Sequence, residues 1–149
     1  ANEVGARCIL NPAPPIDEVI EALAYQPILT PNAGECRDLA ARIGVSSSDT
    51  RSAAMELCQY SKAPVIVTMG GEGLMVCEPG MPPVHVQALD VDVVDTTGAG
   101  DTFNGVFAAR LSDGDTIDVA ATVANRAAAI SVGTVGARAG MPRSTDLAG

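Results

Sequence analysis

The segment that most constrains the fold is a short run of β-branched and apolar residues in the middle of the chain. Residues 63–69 have the sequence APVIVTM, and their apolar side chains occupy positions on both faces of a strand. Strands that are apolar on both faces are typical of parallel sheets covered by helices on each side. The sequence therefore predicts a buried central strand here and an α/β fold.

Strand and helix patterns alternate along the chain, which has the length of one domain. We predict strands at residues 7–10, 27–30, 63–69, 74–77 and 84–88. We predict helices at residues 17–24, 36–43, 100–111 and 117–132, and a further helix that Ser48 or Asp49 caps and that runs to Tyr60. Such alternation implies a mostly parallel sheet with helices on both faces.

The charge balance restricts the classes of partner. The chain has 9 basic and 18 acidic side chains and a formal net charge of -9, which argues against nucleic acid and anionic membrane surfaces. No apolar run approaches the ~20 residues of a membrane span. We expect a cytoplasmic enzyme.

The cysteines and the histidine offer little chemistry. Cys8, Cys36, Cys58 and Cys77 form no Cys-x-x-Cys pair, so we expect neither a zinc site nor a disulfide framework. Buried thiols that act as small apolar residues are the favoured interpretation. His85 is the only histidine, which leaves little support for a histidine-dependent nucleophile.

The segment that carries chemistry is residues 95–105, with the sequence DTTGAGDTFNG before an apolar helical pattern. Small residues let the backbone approach a ligand, and the first amides of a helix have no partner inside it. Together with the helix dipole they form a site for an anion. Asp101 in that position is expected to act as a base, with helix capping as its alternative role. The pattern indicates phosphoryl transfer.

Two other phosphate-binding loops do not fit this segment. A Walker A loop requires a lysine after its last glycine, and the chain contains no Gly-Lys pair. The dinucleotide fingerprint requires a third glycine at position 103, where Phe103 stands.

Residues 95–103 resemble the C-terminal signature of the ribokinase-like (PfkB) carbohydrate kinases, with Val106 where the family usually has a smaller residue. Three more segments resemble family motifs in the same order: NPAP at 11–14, PNAGE at 31–35 and VTMGGEG at 67–73. The resemblance implies the C-terminal portion of a three-layer α/β/α ribokinase-like fold. Residues 1–149 would be its nucleotide-binding and catalytic portion, without the sugar-binding and lid half.

The resemblance also implies roles for single residues. Asp101 would take the proton from a sugar hydroxyl, and Gly98, Ala99 and Gly100, with the amide of Asp101, would form the anion hole. The residues implied for ATP are Asn32, Glu35, Thr68, Gly70, Gly73 and Asn125. Alternatives stay open: a capping box for the Asn32 and Glu35 pair, a strand that ends in a hairpin for residues 68–73, and an exposed helical asparagine at 125.

Two metal ions are implied by the same resemblance. Glu35 would hold Mg²⁺ through water, since magnesium prefers oxygen ligands and keeps several waters. A monovalent cation, K⁺, would be bound by the side chain of Asp95 and by oxygens of Thr97, Ser131, Thr134, Gly136 and Gly140. Asp95 could instead only cap its own loop.

The resemblance implies ATP-dependent phosphorylation of a sugar hydroxyl. The motifs are most similar to those of the ribokinase branch, which implies conversion of ribose to ribose 5-phosphate. A kinase for fructose, a keto-deoxy sugar acid or a nucleoside is the first alternative, and a short, non-catalytic nucleotide-binding or interaction module is the second. We expect the isolated chain to be inactive, to partner the missing N-terminal half, and to belong to a full-length homodimer.

Overall fold

The computed structural model of this chain describes residues 5–47 and 49–147. Ser48, one of the two caps predicted for the third helix, lies outside the described residues. The strands are β1 (Ile9–Leu10), β2 (Ile28–Leu29), β3 (Val65–Thr68), β4 (Leu74–Cys77) and β5 (Val84–Val86). The helices are α1 (Asp17–Ala22), α2 (Ala33–Arg42), α3 (Thr50–Ser61), α4 (Ala99–Ser112) and α5 (Ile117–Ser131), with short 3₁₀ turns at Leu23–Tyr25, Gly70–Glu72 and Ser144–Asp146.

The five strands form one sheet in the order β1-β2-β3-β4-β5. β1 pairs with β2, and β2 with β3, in parallel, as the alternation of strands and helices predicts. β3 and β4 are antiparallel, with Val65 opposite Cys77 and Thr68 opposite Leu74. Only residues 69–73 join these two strands, and so short a connection permits an antiparallel pair but no parallel crossover.

The chain divides into two compact units. The first comprises Ala1–Met69 and Leu74–His85, and the second comprises Gly70–Gly73 and Val86–Gly149. The motifs are divided between them: the PNAGE segment lies in the first unit and residues 95–105 lie in the second.

The core of the first unit surrounds β3. Val65, Ile66 and Val67 are fully buried, which confirms the prediction of a strand covered on both faces. Cys36, Cys58 and Cys77 are buried there as free thiols, whereas Cys8 is exposed, so the prediction of four buried thiols is wrong at that position. Burial raises the pKa of Cys36 to about 12 and that of Cys77 to about 11, and this keeps both thiols protonated.

The second unit is built on the packing of α4 against α5. The rings of Phe103 and Phe107 stack with their centroids 5.8 Å apart, and both side chains are buried. α5 contributes small buried residues to the same core, namely Ala120, Ala121, Ala124 and Ala127. No helix in the described part of either unit is long and apolar enough to cross a membrane.

Several predicted boundaries are displaced. The helix predicted at residues 17–24 is α-helical only to Ala22 and continues as a 3₁₀ turn to Tyr25. α2 begins at Ala33 rather than Cys36, because Asn32 caps it. Asp49 caps α3 by accepting a hydrogen bond from the amide of Ser52, so this one of the two proposed caps is confirmed.

The first prediction concerns α3, which presents one face to the core of the first unit. Leu57 is fully buried, whereas Met55 on the same helix is 46% exposed. Leu57→Ala should lower the free energy of unfolding by about 2–5 kcal/mol, since it removes buried methyl groups and leaves a cavity. Met55→Ala should change it by less than about 0.5 kcal/mol. Urea denaturation followed by circular dichroism measures both, and equal losses would contradict the assigned packing.

Candidate active site

The loop before α4 is organised by the carboxylate of Asp95. One carboxylate oxygen accepts a hydrogen bond from the amide of Thr97 at 2.9 Å, which forms an Asx-turn. The other oxygen accepts from the amide of Gly136 at 2.8 Å, across 41 residues of sequence. The carboxylate therefore joins the loop before α4 to the loop after α5.

Hydrogen bonds to the charged form make Asp95 a stronger acid. The hydroxyl and amide of Thr97, followed by the amide of Gly136, hold the pKa of the Asp95 carboxyl below its usual value. The role left open for Asp95, capping of its own loop, is therefore present in the structure. The same carboxylate also reaches a second loop, which a simple cap would not do.

Gly98 begins α4 at a position that only glycine fits. It is the N-cap residue and has φ 79°, and because it has no side chain it cannot cap the amides of the helix. A Cβ atom at Gly98 would lie 2.6 Å from the Cβ of Ala137, which is closer than two carbon atoms can approach. A side chain at position 98 would therefore be excluded both by the left-handed backbone and by the neighbouring loop.

The amides at the start of α4 differ in availability. Ala99 donates to the carbonyl of Thr96 at 3.2 Å, and Thr102 donates to the carbonyl of Gly98 at 2.9 Å. Within residues 5–47 and 49–147, the amides of Gly100 and Asp101 donate to no acceptor. The predicted anion hole therefore has open donors at 100 and 101, whereas the amide of Ala99 is already engaged.

The side chain of Asp101 is exposed in the first turn of α4. It forms no hydrogen bond or ion pair with any described residue, and Gly98 rather than Asp101 is the N-cap. Asp101 therefore does not cap α4, which was the alternative role considered for it. Its neighbour Thr102 is 5% exposed, and its hydroxyl has no partner among the described residues.

The loop after α5 brings most of the residues implied for a monovalent cation close together. The amide of Gly140 donates to the carbonyl of Gly136 at 3.2 Å. A Cβ atom at Gly140 would lie 2.2 Å from the carbonyl oxygen of Ser131, the last residue of α5. These contacts bring together four of the implied residues, namely Asp95, Ser131, Gly136 and Gly140. Their carboxylate and carbonyl oxygens are ligands that suit a hard cation. Thr134 is exposed in the same loop.

In the first unit, Asn32 and Glu35 form the capping box that their spacing permits. The Asn32 side chain accepts from the amide of Glu35 at 2.9 Å, and the Glu35 carboxylate accepts from the amide of Asn32 at 2.8 Å. These bonds leave Oε1 of Glu35 and Nδ2 of Asn32 without a partner among the described residues. Asn32 and Thr68 are paired by a parallel bridge, where the chain leaves the carboxyl ends of β2 and β3.

Three further predicted nucleotide residues lie in the second unit. The amide of Gly73 donates to the carbonyl of Gly70 at 2.9 Å. Gly73 has φ 88°, and a Cβ atom there would lie 2.0 Å from the carbonyl oxygen of Val86. Asn125 donates through Nδ2 to the carbonyl of Gln87 at 2.9 Å. Gly73 therefore contacts the last residue of β5, and Asn125 contacts the residue that follows it. Asn125 is thus not simply a solvent-exposed helical asparagine.

Comparison with known proteins identifies the family. The model of the pfkB family carbohydrate kinases matches residues 1–144. The chain belongs to this family. The ribokinase of Bacillus subtilis is 37% identical over 139 residues, which is 93% of this chain and 44% of that protein.

Solved structures of ribokinases have the same fold. The ribokinase of Thermotoga maritima superimposes with a TM-score of 0.88 at 33% identity, over 96% of this chain and 48% of that one. The ribokinase of Arabidopsis thaliana complexed with ribose and ATP superimposes with a TM-score of 0.81 at 27% identity, over 97% of this chain and 47% of that one. The predicted ribokinase-like α/β fold is confirmed, and the chain spans about half the length of the relatives it matches.

Sequence reasoning missed the contact of Ala137 with Gly98 in this chain of the pfkB family. Alanine carries no chemical signal, and the two residues are distant in sequence. The engagement of the Ala99 amide was missed for a similar reason, because it depends on the local turn geometry and not on residue type.

A pair of glycine substitutions tests the close approach at α4. Gly98→Ala should lower the free energy of unfolding by at least about 1–3 kcal/mol, which is the cost of a left-handed non-glycine residue, since the contact with Ala137 adds to it. Gly105→Ala, in the interior of the same helix with no atom within 4 Å, should leave stability unchanged or raise it by up to about 1 kcal/mol. Chemical denaturation measures both. A Gly98→Ala variant as stable as Gly105→Ala would refute the observed loop contact.

Asp95 should make stability dependent on acid. Its folded pKa is lower than its unfolded value, so the stability it adds is fully present above the usual pKa of 3.8 and is lost as the pH falls below that value. Asp95→Asn can accept through one oxygen only, so it should be less stable than wild type at neutral pH. That difference should shrink below pH 3.8 in unfolding curves recorded across the acid range. A difference independent of pH would contradict the role of the charged carboxylate.

Proposed function

We propose that this chain supplies the ATP site, anion hole and catalytic base of a sugar kinase, and that the substrate is ribose, converted to ribose 5-phosphate. The observation that carries the proposal is the carboxylate of Asp101, which is exposed and free of described partners beside two open amides at the start of α4. Gly98 is the N-cap of α4, so the carboxylate of Asp101 is not used to cap the helix. Membership of the pfkB family supports phosphoryl transfer to an alcohol.

The chemistry follows from these groups. Asp101 accepts the proton of the sugar hydroxyl while the hydroxyl oxygen forms a bond to the γ-phosphorus. The bond between that phosphorus and the bridging oxygen of ADP breaks, and its electrons leave with ADP. The amides of Gly100 and Asp101 donate to the phosphoryl oxygens, whose charge they stabilise during transfer.

The remaining site residues are proposed to hold the nucleotide and its metal ions. Asn32, Thr68, Gly70, Gly73 and Asn125 would bind ATP, as the family motifs imply. Glu35 would hold Mg²⁺ through water, because its Oε1 is not used by the capping box. Bound Mg²⁺ would neutralise phosphate charge. The oxygens around Asp95 would hold K⁺, in the set Asp95, Thr97, Ser131, Thr134, Gly136 and Gly140.

The proposal places this chain as the C-terminal portion of a longer kinase. Support comes from relatives of which it spans about half, including an Arabidopsis thaliana ribokinase complexed with ribose and ATP. The sugar contacts, the homodimer and a cytoplasmic location would belong to the full-length protein. The first alternative is a kinase for another substrate of the same family, and the second is a non-catalytic nucleotide-binding module. Under both alternatives, the isolated chain is expected to bind ATP without phosphorylating ribose.

Replacement of Asp101 tests the proposed base. In the full-length protein, Asp101→Asn should lower kcat for ribose phosphorylation by about 10²–10⁴-fold, the usual contribution of a general base. ATP binding should change little, because an asparagine side chain keeps the shape and the backbone amides. A coupled assay of ADP release measures kcat, and calorimetry measures ATP affinity.

The matched control is Asp113→Asn, which removes the same charge at the opposite end of α4, where Asp113 is the exposed C-cap. It should retain wild-type kcat. An Asp101→Asn variant with near wild-type activity would exclude Asp101 as the base. Activity on fructose, a keto-deoxy sugar acid or a nucleoside, but not on ribose, would keep the mechanism and replace the substrate.

A further inference from the structure

An exposed arginine, Arg138, lies in the loop that contacts the start of α4. The bond from the amide of Gly140 to the carbonyl of Gly136 closes a turn, and Arg138 is the middle residue of that turn. The amide of Gly136 is held by Asp95, and Ala137 packs against Gly98. Arg138 is therefore adjacent in sequence to the residue that touches the N-cap of α4.

The charge of the second unit makes this arginine notable. The unit carries nine acidic residues and, as its only basic residues, four arginines. Arg110 pairs with Asp115 at 2.6 Å, so its charge is already compensated. Arg138 is exposed and forms no hydrogen bond or ion pair with the residues that the structure describes. Its guanidinium is available to an anion, whereas the unit as a whole repels one.

We propose that Arg138 binds the β- and γ-phosphates of the nucleotide at the start of α4. This inference rests on the proposed function, which places those phosphates at the amides of Gly100 and Asp101. A guanidinium presents a planar set of donors that matches two phosphate oxygens. Because Asp95 and Gly98 fix the turn on two sides, the backbone of Arg138 is already in position before ATP arrives.

The experiment compares nucleotide affinities in the full-length kinase by isothermal titration calorimetry. Arg138→Gln should weaken ATP binding by about tenfold, the order expected for loss of charge-assisted hydrogen bonds to phosphate. AMP, which lacks the β- and γ-phosphates, should lose less than about twofold, because only a long-range attraction to its phosphate is removed. Arg138→Lys keeps the charge but loses the paired geometry, so its ATP affinity should lie between that of the wild type and that of Arg138→Gln.

The matched control for loss of one positive charge is Lys62→Gln. Lys62 is exposed and follows α3 at the amino end of β3, the opposite end of that strand from Thr68. It should bind ATP and AMP as the wild type does. Thermal unfolding followed by circular dichroism should show that all three variants are folded.

The possible outcomes separate the role of Arg138 from the proposed function. Equal losses for ATP and AMP, or an Arg138→Gln variant indistinguishable from Lys62→Gln, would overturn the role of Arg138 and leave the proposed function intact. A wild-type protein that binds no ATP would overturn the proposed function and this inference together. Selective loss of ATP affinity in Arg138→Gln, partly recovered in Arg138→Lys, supports the role of Arg138.

Discussion

Hydrogen bonds accepted by the Asp95 carboxylate join the two loops that form the candidate site in the second unit. They hold the amides of Thr97 and Gly136, which belong to loops at the start of α4 and after α5. With those loops joined, Ala137 lies against Gly98, and position 98 can be occupied only by glycine. The helix therefore begins abruptly, without a side-chain cap, and leaves amides open to a ligand.

An abrupt helix start is useful only where something else satisfies its donors. Open amides and the helix dipole favour an anion, whereas the exposed carboxylate of Asp101 disfavours one. That conflict is typical of functional sites, where a base must lie beside the group it helps to transfer. The buried, stacked rings of Phe103 and Phe107 anchor the same helix, so its first turn is presented by a rigid element.

The sequence predicted those features that depend on residue type along a short segment. The burial of Val65–Val67 followed from their apolar side chains, and the glycine-rich start of α4 followed from residues 98–101. It could not predict contacts between distant loops, such as that of Ala137 with Gly98, because small residues carry no signature of their partner. The predicted helix boundary was wrong where a cap decided it, as at Asn32. Cys8, which was predicted inside the first strand, lies just before β1 and is exposed.

The measurement that tests the central claim most directly is the response of backbone amide resonances to nucleotide, followed by NMR on the isotopically labelled protein. Addition of a non-hydrolysable ATP analogue with Mg²⁺ should shift the amides of Gly100 and Asp101, while AMP should shift them much less. The amide of Ala99, which already donates to Thr96, should respond less strongly. Resonances at 100 and 101 that stay unchanged at saturating nucleotide would contradict an anion hole at the start of α4.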